Sequence, residues 1–331
     1  MAARSGQKLK LLYVIDILRK ETDEEHPMSA IEICDRLQSM GVTAERKAIY
    51  DDIEKLIEYG FDIISTHIPK RGYFLASREF EIPEIYLLSD AVRTAKFISP
   101  KKSRELISKL DSMLSRFQAN NREKGIFVDS TGKCNNEEIY YTIDTISRAI
   151  HNRKKISLKY GIRSLSNREI VTVYKERLVS PYAMTWQDDH YYLICNYDKY
   201  DNLLHLRIDR MKSVNETSEN SRPFSQVSEY TDVFDIADYT KKLFGMYSGK
   251  LENVELRCSK KYIEQIADRF SQNIFIRNIN DTHFTFCVNA AVSDALATWI
   301  MNYGDDIKVL KPESLKHIIK NRAEKILKQY D

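Results

Sequence analysis

The chain has 331 residues, 43% of them hydrophobic and 30% charged, with a formal net charge of +3. Such a length exceeds one ordinary domain, and the composition fits several folded units with real cores. No run approaches ~18 uninterrupted apolar residues, so no membrane span is predicted, and a net charge this small excludes recognition of a polyanion by bulk charge alone. The N-terminus lacks the apolar core of a signal peptide, so a cytoplasmic protein is expected. Cys34, Cys134, Cys195, Cys258 and Cys287 are scattered and never spaced as C-x-x-C. They read as reduced, mostly buried thiols; no metal site and no cofactor is expected.

Leu9 to Lys20 reads as a helix with Leu11, Leu12, Ile15 and Leu18 on one face, and residues 21–27 as a polar loop. Ser29 stands three residues before Glu32, the spacing of a capping box, and opens a second helix carrying Ile31, Ile33 and Leu37. Residues 40–42 stop it. Thr43 is the expected N-cap of a third helix, with Glu45 near its positive end; Ile49, Ile53, Leu56 and Ile57 point inward and Gly60 closes it. A strand over 61–65, a polar tip over 66–72 and a strand over 73–75 complete the order of a winged helix-turn-helix.

Two connector helices follow, from about Pro83 to Phe97 and from Ser103 to Gln118, separated by Pro100. Residues 121–136 read as a linker. After a helix from Glu137 to about Asn152 the period changes to that of strands: 156–160, 171–174, 177–182, 191–197 and 203–210, with a polar break at 215–225. Short strands with tight turns suggest a small β-barrel. The last hundred residues alternate: strand 254–258, helix 260–270, strands 274–278 and 283–288, helix 293–302, strand 307–310 and a long helix from Pro312. This is a split β-α-β plan with an added helix.

On the third helix the inward positions leave Arg46, Lys47 and Tyr50 on the exposed side near the N-terminal end, where a recognition helix meets base edges in the major groove. Arg can bond guanine bidentately, Lys suits guanine or phosphate, and Tyr reaches phosphate. His67, Lys70 and Arg71 sit at the wing tip, suited to phosphate or the minor groove. Residues 1–78 hold 12 Lys and Arg against 13 Asp and Glu, so the DNA case rests on local placement, and useful affinity needs a dimer.

The runs Val179 to Tyr182, Tyr191 to Tyr197 and Leu206 to Met211 resemble the WYL-domain transcriptional regulators. The stretch from Ala48 to Gly60 with Gly72 to Leu75 looks like that family's helix-turn-helix. Trp299, Tyr303, Gly304, Val309 to Pro312, Leu315 and Ile319 look like its C-terminal extension. Two positions depart: the Trp of the name-giving triplet is Tyr191 here, and an Arg often found two residues before Leu206 is Leu204. The resemblance implies a multidomain α+β chain: a winged helix-turn-helix (1–78), a helical connector and linker (79–136), an SH3/Sm-like β-barrel WYL domain (137–217) and a ferredoxin-like α/β extension for dimerisation and regulation (218–331). It implies that the barrel senses a nucleic-acid or nucleotide-like ligand. Arg207 and Arg210 are the candidates for anion contact, Tyr182, Tyr192 and His205 for stacking or hydrogen bonding, and Ser180 for a polar contact. Alternatively, Asp209 and Arg210 form an internal ion pair and Tyr192 is core.

The chain lacks a P-loop, a G-x-S-x-G, a dinucleotide fingerprint and a metal box, so no enzyme is expected; Asp188, Asp189 and His190 read as a hairpin turn. The expected protein is a cytoplasmic homodimer that binds double-stranded DNA and an effector, with no membrane contact. The alternative is an accessory nucleic-acid-binding or protein-interaction module, for example of an anti-phage defence system, without its own operator.

Overall fold

The computed structural model describes residues 3–122, 133–134, 136–230, 234–270 and 274–330. The chain divides into two compact units, Met1–Asn135 and Asn136–Asp331.

The first unit begins with α1 (Ala3–Glu21), α2 (Ala30–Ser39) and α3 (Arg46–Tyr59), followed by the hairpin β1 (Ile63–Thr66) and β2 (Gly72–Leu75). Its core joins Val14, Ile17 and Leu18 of α1 to Ile33 and Leu37 of α2 and to Ile49, Ile53 and Leu56 of α3. Leu12, Ile31 and Ile57, expected inside, are 62%, 55% and 48% exposed, because the buried stripe of each helix runs one position to their side. Ser29 accepts from the Glu32 amide while the Glu32 carboxylate accepts from the Ser29 amide, which closes the capping box of α2. Gly60 ends α3 in the left-handed region at φ 117°. Thr43 does not cap α3. The first helical bond runs from the Ile49 amide to the Glu45 carbonyl, which puts Glu45 at the N-cap without a side-chain bond and leaves Thr43 in the preceding loop. Met28 pairs with Tyr73 through two backbone bonds of 2.9 and 2.7 Å, adding a third short segment to the hairpin. Gly72 permits that approach: a Cβ there would lie 2.6 Å from the Met28 carbonyl carbon.

The connector contains α4 (Ile82–Thr94), α5 (Pro100–Asp111) and α6 (Arg116–Arg122). Pro100 opens α5 rather than separating helices, with Ser99 capping it through the Lys102 amide at 3.2 Å. The single helix expected over 103–118 is broken after Asp111. Ser115 restarts it, since Ser115 and Gln118 exchange side-chain-to-amide bonds in the manner of a capping box. Of the expected linker, residues 123–132 and 135 lie outside the described residues. Its Lys133 is fastened to the connector: Nζ donates to the carbonyls of Val92 (3.2 Å) and Ala95 (3.0 Å) and to Ser103 Oγ (2.8 Å).

The second unit opens with α7 (Ile139–His151), which packs Ile139, Ile146 and Ala149 inward. An antiparallel sheet follows: β3 (Lys154–Ser166), β4 (Glu169–Gln187), β5 (His190–Asn196), β6 (Leu204–Arg207) and β7 (Met211–Asn220), in the order β6-β5-β4-β3-β7. The two strands expected over 171–182 are one long β4. The polar stretch from Asn215, expected to break the pattern, largely continues as β7: as an edge strand it tolerates polar side chains. The edge strands β6 and β7 are joined by a 3-10 turn of three residues, Ile208–Arg210, so the sheet curls until its edges approach. Asp188 and Asp189, at φ 49° and 60°, form the two-residue turn of the β4–β5 hairpin, as the sequence implied.

Then come α8 (Ile236–Lys241), β8 (Lys250–Ser259), α9 (Ile263–Phe270), β9 (Phe275–Ile279), β10 (His283–Val292), α10 (Asp294–Met301), β11 (Ile307–Lys311) and α11 (Glu313–Tyr330). The four strands form an antiparallel sheet in the order β11-β8-β10-β9, the split β-α-β plan with an added helix. Val254, Leu256, Phe286, Leu296 and Leu315 are fully buried in its core. Trp299 is wedged among Phe244, Phe270 and Tyr303, with ring centroids 5.0–5.4 Å apart.

Candidate nucleic-acid interface and effector face

The first turn of α3 presents Arg46 and Lys47 to solvent, because Ile49 and Ile53 anchor the opposite stripe in the core. Tyr50, one turn on, is half-buried and packs its ring 6.3 Å from that of Tyr73 on β2. Arg46 Nε donates to Tyr50 Oη at 2.8 Å, and its guanidinium lies 5.5 Å from the Tyr50 ring centre. Arg71 stands exposed just before β2. Together Arg46, Tyr50, Arg71, Tyr73 and the α2 cap Ser29 border a shallow cleft of about 180 Å³. Burial pushes the Tyr73 hydroxyl above its ordinary pKa, so it is a neutral hydrogen-bonding group beside two cations.

Lys70 is engaged: Nζ lies 2.5 Å from Glu32. Burial works against the Glu32 charge, but bonds from Lys70 and Ser29 outweigh it and hold the carboxyl below its usual range. His67 is exposed at the hairpin tip, and Thr43 is exposed before α3. The structure thus brings Arg46, Tyr50 and Arg71 together and leaves Lys47, Thr43 and His67 exposed around them. Sequence placed Ser29 only at a helix cap and Tyr73 only in a strand, not at this cleft. The Gly72–Tyr73 step was the available signal, since a Gly that admits a neighbouring backbone also fixes where the next side chain goes.

On the curled sheet the ligand candidates separate into two groups. Ser180 is fully buried and its Oγ accepts from the Arg222 amide at 2.9 Å. Tyr182 Oη donates to the Arg222 carbonyl at 2.8 Å, and burial pushes its pKa up to about 12. Both hold the segment after β7. His205 lies between the Tyr239 hydroxyl (2.9 Å from Nε2) and the Ser248 hydroxyl (3.3 Å from Nδ1), and burial lowers its pKa to about 4. It is neutral and tied through Tyr239 and Ser248 to the strap that follows β7, described over residues 221–230 and 234–249.

The second group is Tyr192, Arg207 and Arg210. Tyr192 on β5 pairs directly with Arg207 on β6. Arg207 forks onto Asp209, with Nε at 3.0 Å and a terminal nitrogen at 2.6 Å. Burial opposes its charge, but the Asp209 carboxylate outweighs that and raises its pKa. The ion pair therefore joins Asp209 to Arg207 rather than to Arg210. Arg210 keeps a buried Nε with no hydrogen-bond partner.

A cation-aromatic cluster not singled out by sequence lies beside them. The Arg177 guanidinium sits 5.6 Å from the Tyr160 ring centre and 5.0 Å from that of Tyr197, and bonds the Tyr197 hydroxyl. Tyr160 in turn accepts from the Arg207 amide at 3.2 Å. These residues come from β3, β4 and the end of β5, so only strand register unites them. Such a cluster can stack a planar group and neutralise an anion.

Among the described residues, no group of His, Cys, Asp and Glu is arranged to hold a metal ion. None of the described cysteines is in a disulfide. No helix of the described residues is long and apolar enough to cross a membrane.

No curated protein matches the chain. Among solved structures, Proteasome accessory factor B/C (PafBC) of Arthrobacter aurescens is similar at 15% identity and a TM-score of 0.28; the match covers 97% of this chain and 49% of that one. The chain thus spans about half the length of that protein. Residues 141–216 match the WYL domain, from α7 into β7. Residues 250–327 match the WCX domain, from β8 into α11. The N-terminal unit has the helix order and hairpin of a winged helix-turn-helix, and the chain that follows carries a WYL domain and then a C-terminal WCX domain.

Proposed function

We propose that this protein is a ligand-responsive, DNA-binding transcriptional regulator of the WYL type and not an enzyme. The observation that carries the reading is the first turn of α3: Arg46 and Lys47 exposed, with Tyr50 and Arg71 beside them, on the third helix of a winged-helix-like unit. In this reading α3 enters the major groove, Arg46 and Lys47 reach base edges, Thr43 and Tyr50 contact phosphate, and His67, Lys70 and Arg71 flank the wing. The functional division is 1–78 for DNA, 79–136 as connector, 137–217 as sensor and 218–331 as the extension. Two copies pair through the connector helices and the extension, which spaces two recognition helices about one DNA turn apart. The protein works in the cytoplasm.

The sensor takes a nucleic-acid or nucleotide-like effector. Its curled sheet is read as an SH3/Sm-like barrel, supported by the short turn between edge strands, and the extension as ferredoxin-like, supported by its strand order. Arg207, Arg210 and Arg177 supply anion contact; Tyr192, Tyr160 and Tyr197 supply stacking surfaces. Ser180, Tyr182 and His205 act by holding neighbouring backbone and the strap in place. An effector shifts the dimer only by binding one of its states better than the other.

Fluorescence anisotropy on DNA from upstream of the protein's own gene, at two salt concentrations and with or without a short single-stranded oligonucleotide, tests this. Sequence-preferring, salt-dependent binding that Arg46→Ala weakens and the oligonucleotide alters is the expected result. Binding indifferent to the oligonucleotide removes the effector assignment. One observation favours a second reading: residues 1–78 carry one more acid than base. Absence of duplex binding under every condition would leave the protein as an accessory module without an operator.

A further inference from the structure

Residues 217–249 lie between the WYL and WCX matches and belong to neither. The described residues after β7, 221–230 and 234–249, form a strap across one end of the curled sheet. Between this strap, the loop at 201–203 and the start of β8 lies a cleft of about 590 Å³, well within the size range of small-molecule sites. Leu203, Val227, Leu243 and Leu251 make its apolar floor, and Tyr230 and Tyr239 stand over it with rings at right angles, 6.0 Å apart. Gly249 keeps one lip bare: a Cβ there would fall 2.2 Å from the Val292 carbonyl oxygen, so no side chain is accommodated.

The charges around the cleft can be accounted for one by one. Asp201 is bonded by Arg222 at 2.7 Å. Lys242 and Asp238 hold each other at 2.5 Å and share the Tyr230 hydroxyl. His205, behind Tyr239, is neutral. Two charges at the rim remain: Glu229 and Lys250 are exposed, and neither has a hydrogen-bond or ion-pair partner among the described residues. An apolar floor with aromatic walls, rimmed by one uncommitted carboxylate and one uncommitted ammonium, matches a ligand with an apolar body and both charges. We propose that this cleft binds a small zwitterion with an aromatic or branched apolar side chain, of the free amino-acid class, with its ammonium toward Glu229 and its carboxylate toward Lys250. The side chain lies on the leucine floor against Tyr230 and Tyr239.

The site is separate from the Arg207 face yet connected to it. Tyr239, a wall of the cleft, bonds His205 at 2.9 Å, and His205 is two residues from Arg207 on β6. Ser248, at the lip, donates to the Leu203 carbonyl at 2.8 Å. An occupant therefore bears on the strap and on β6 together, and would link two ligands on one sensor.

The test is isothermal titration calorimetry of the full-length protein with L-tryptophan, L-phenylalanine, L-tyrosine and L-leucine, and with the N-acetyl amide of each. The expected result is saturable binding of at least one free amino acid. The charge-blocked form should bind at least about fivefold more weakly, and Glu229→Gln and Lys250→Met should each weaken the free form by about fivefold, the effect of losing one exposed ion pair. Both positions are exposed, so circular dichroism should report an unchanged fold. The proposal is overturned if no free amino acid binds at millimolar concentration. It is overturned equally if the blocked forms bind as well, or if the double variant binds as tightly as the parent.

Discussion

The α3 face and the β6 face both place an arginine beside a tyrosine, and the consequences differ. Arg46 is exposed and bonds only a neutral hydroxyl, so it can meet a phosphate or a guanine at little desolvation cost. Arg207 has a side chain only 19% exposed and is forked onto Asp209, which is 9% exposed. An anion arriving at Arg207 competes with a carboxylate already there. The first arrangement suits a standing contact surface. The second suits a switch, in which binding exchanges one partner of Arg207 for another. The same pair of residue types thus makes an exposed, uncommitted cation in one unit and an ion-paired one in the other.

The largest effect that can sharpen this comparison is on pH. Burial lowers the His205 pKa to about 4 from an ordinary 6.5. Between those values the unfolded chain binds the proton and the folded chain does not. Stability is therefore complete above pH 6.5 and falls as pH drops toward 4, by up to about 3 kcal/mol. Urea titrations at pH 7 and 4.5 should show a smaller acid loss for His205→Gln than for the parent. Equal losses would mean that the imidazole is not held neutral by the strap.

Next is Arg207→Ala, which removes the two-bond fork from the part-buried Asp209 carboxylate and should cost about 2–3 kcal/mol. Adding Asp209→Asn should recover part of the loss. If the double variant is no more stable than the single one, the pair is not coupled and the contrast with Arg46 collapses.

Arg46→Ala should leave stability within about 0.5 kcal/mol of the parent while weakening specific DNA binding by about 1–3 kcal/mol. A melting temperature that drops with the affinity would show that the side chain is structural. The smallest effect is expected from Lys70→Ala. Its exposed pair with Glu32 contributes under about 1 kcal/mol to stability, and a wing contact to one phosphate would appear as a salt-dependence slope shallower by about 0.9. An unchanged slope would take Lys70 out of the DNA interface.

Much of the local structure in both units was legible residue by residue. Ser29 with Glu32 marked the start of α2, Gly60 the end of α3, and the Asp188–Asp189 pair the β4–β5 turn, because capping and tight turns depend on chemistry within four or five residues. Thr43 misled because it is a good cap placed two residues early; buried Val42 at its side holds that loop against the core instead. The polar composition of 215–220 read as a break because an edge strand needs no apolar alternation on its open side. Ser180, Tyr182 and His205 were legible as polar residues on strands, but their partners Arg222 and Tyr239 lie 34 to 42 residues away.

The sequence by itself determined the helix order, the hairpin of the first unit, the passage from helix to curled sheet and the β-α-β-β-α-β plan of the last hundred residues. Periodicity, caps and turns are local, and local chemistry does not wait for the fold. Tertiary structure alone decided which arginine is paired and which is exposed. It set Arg177 between Tyr160 and Tyr197, gave Asp209 to Arg207, and closed a strap over an apolar cleft with two uncommitted charges at its rim. Those outcomes depend on strand register and on burial, and both are properties of distant segments brought together.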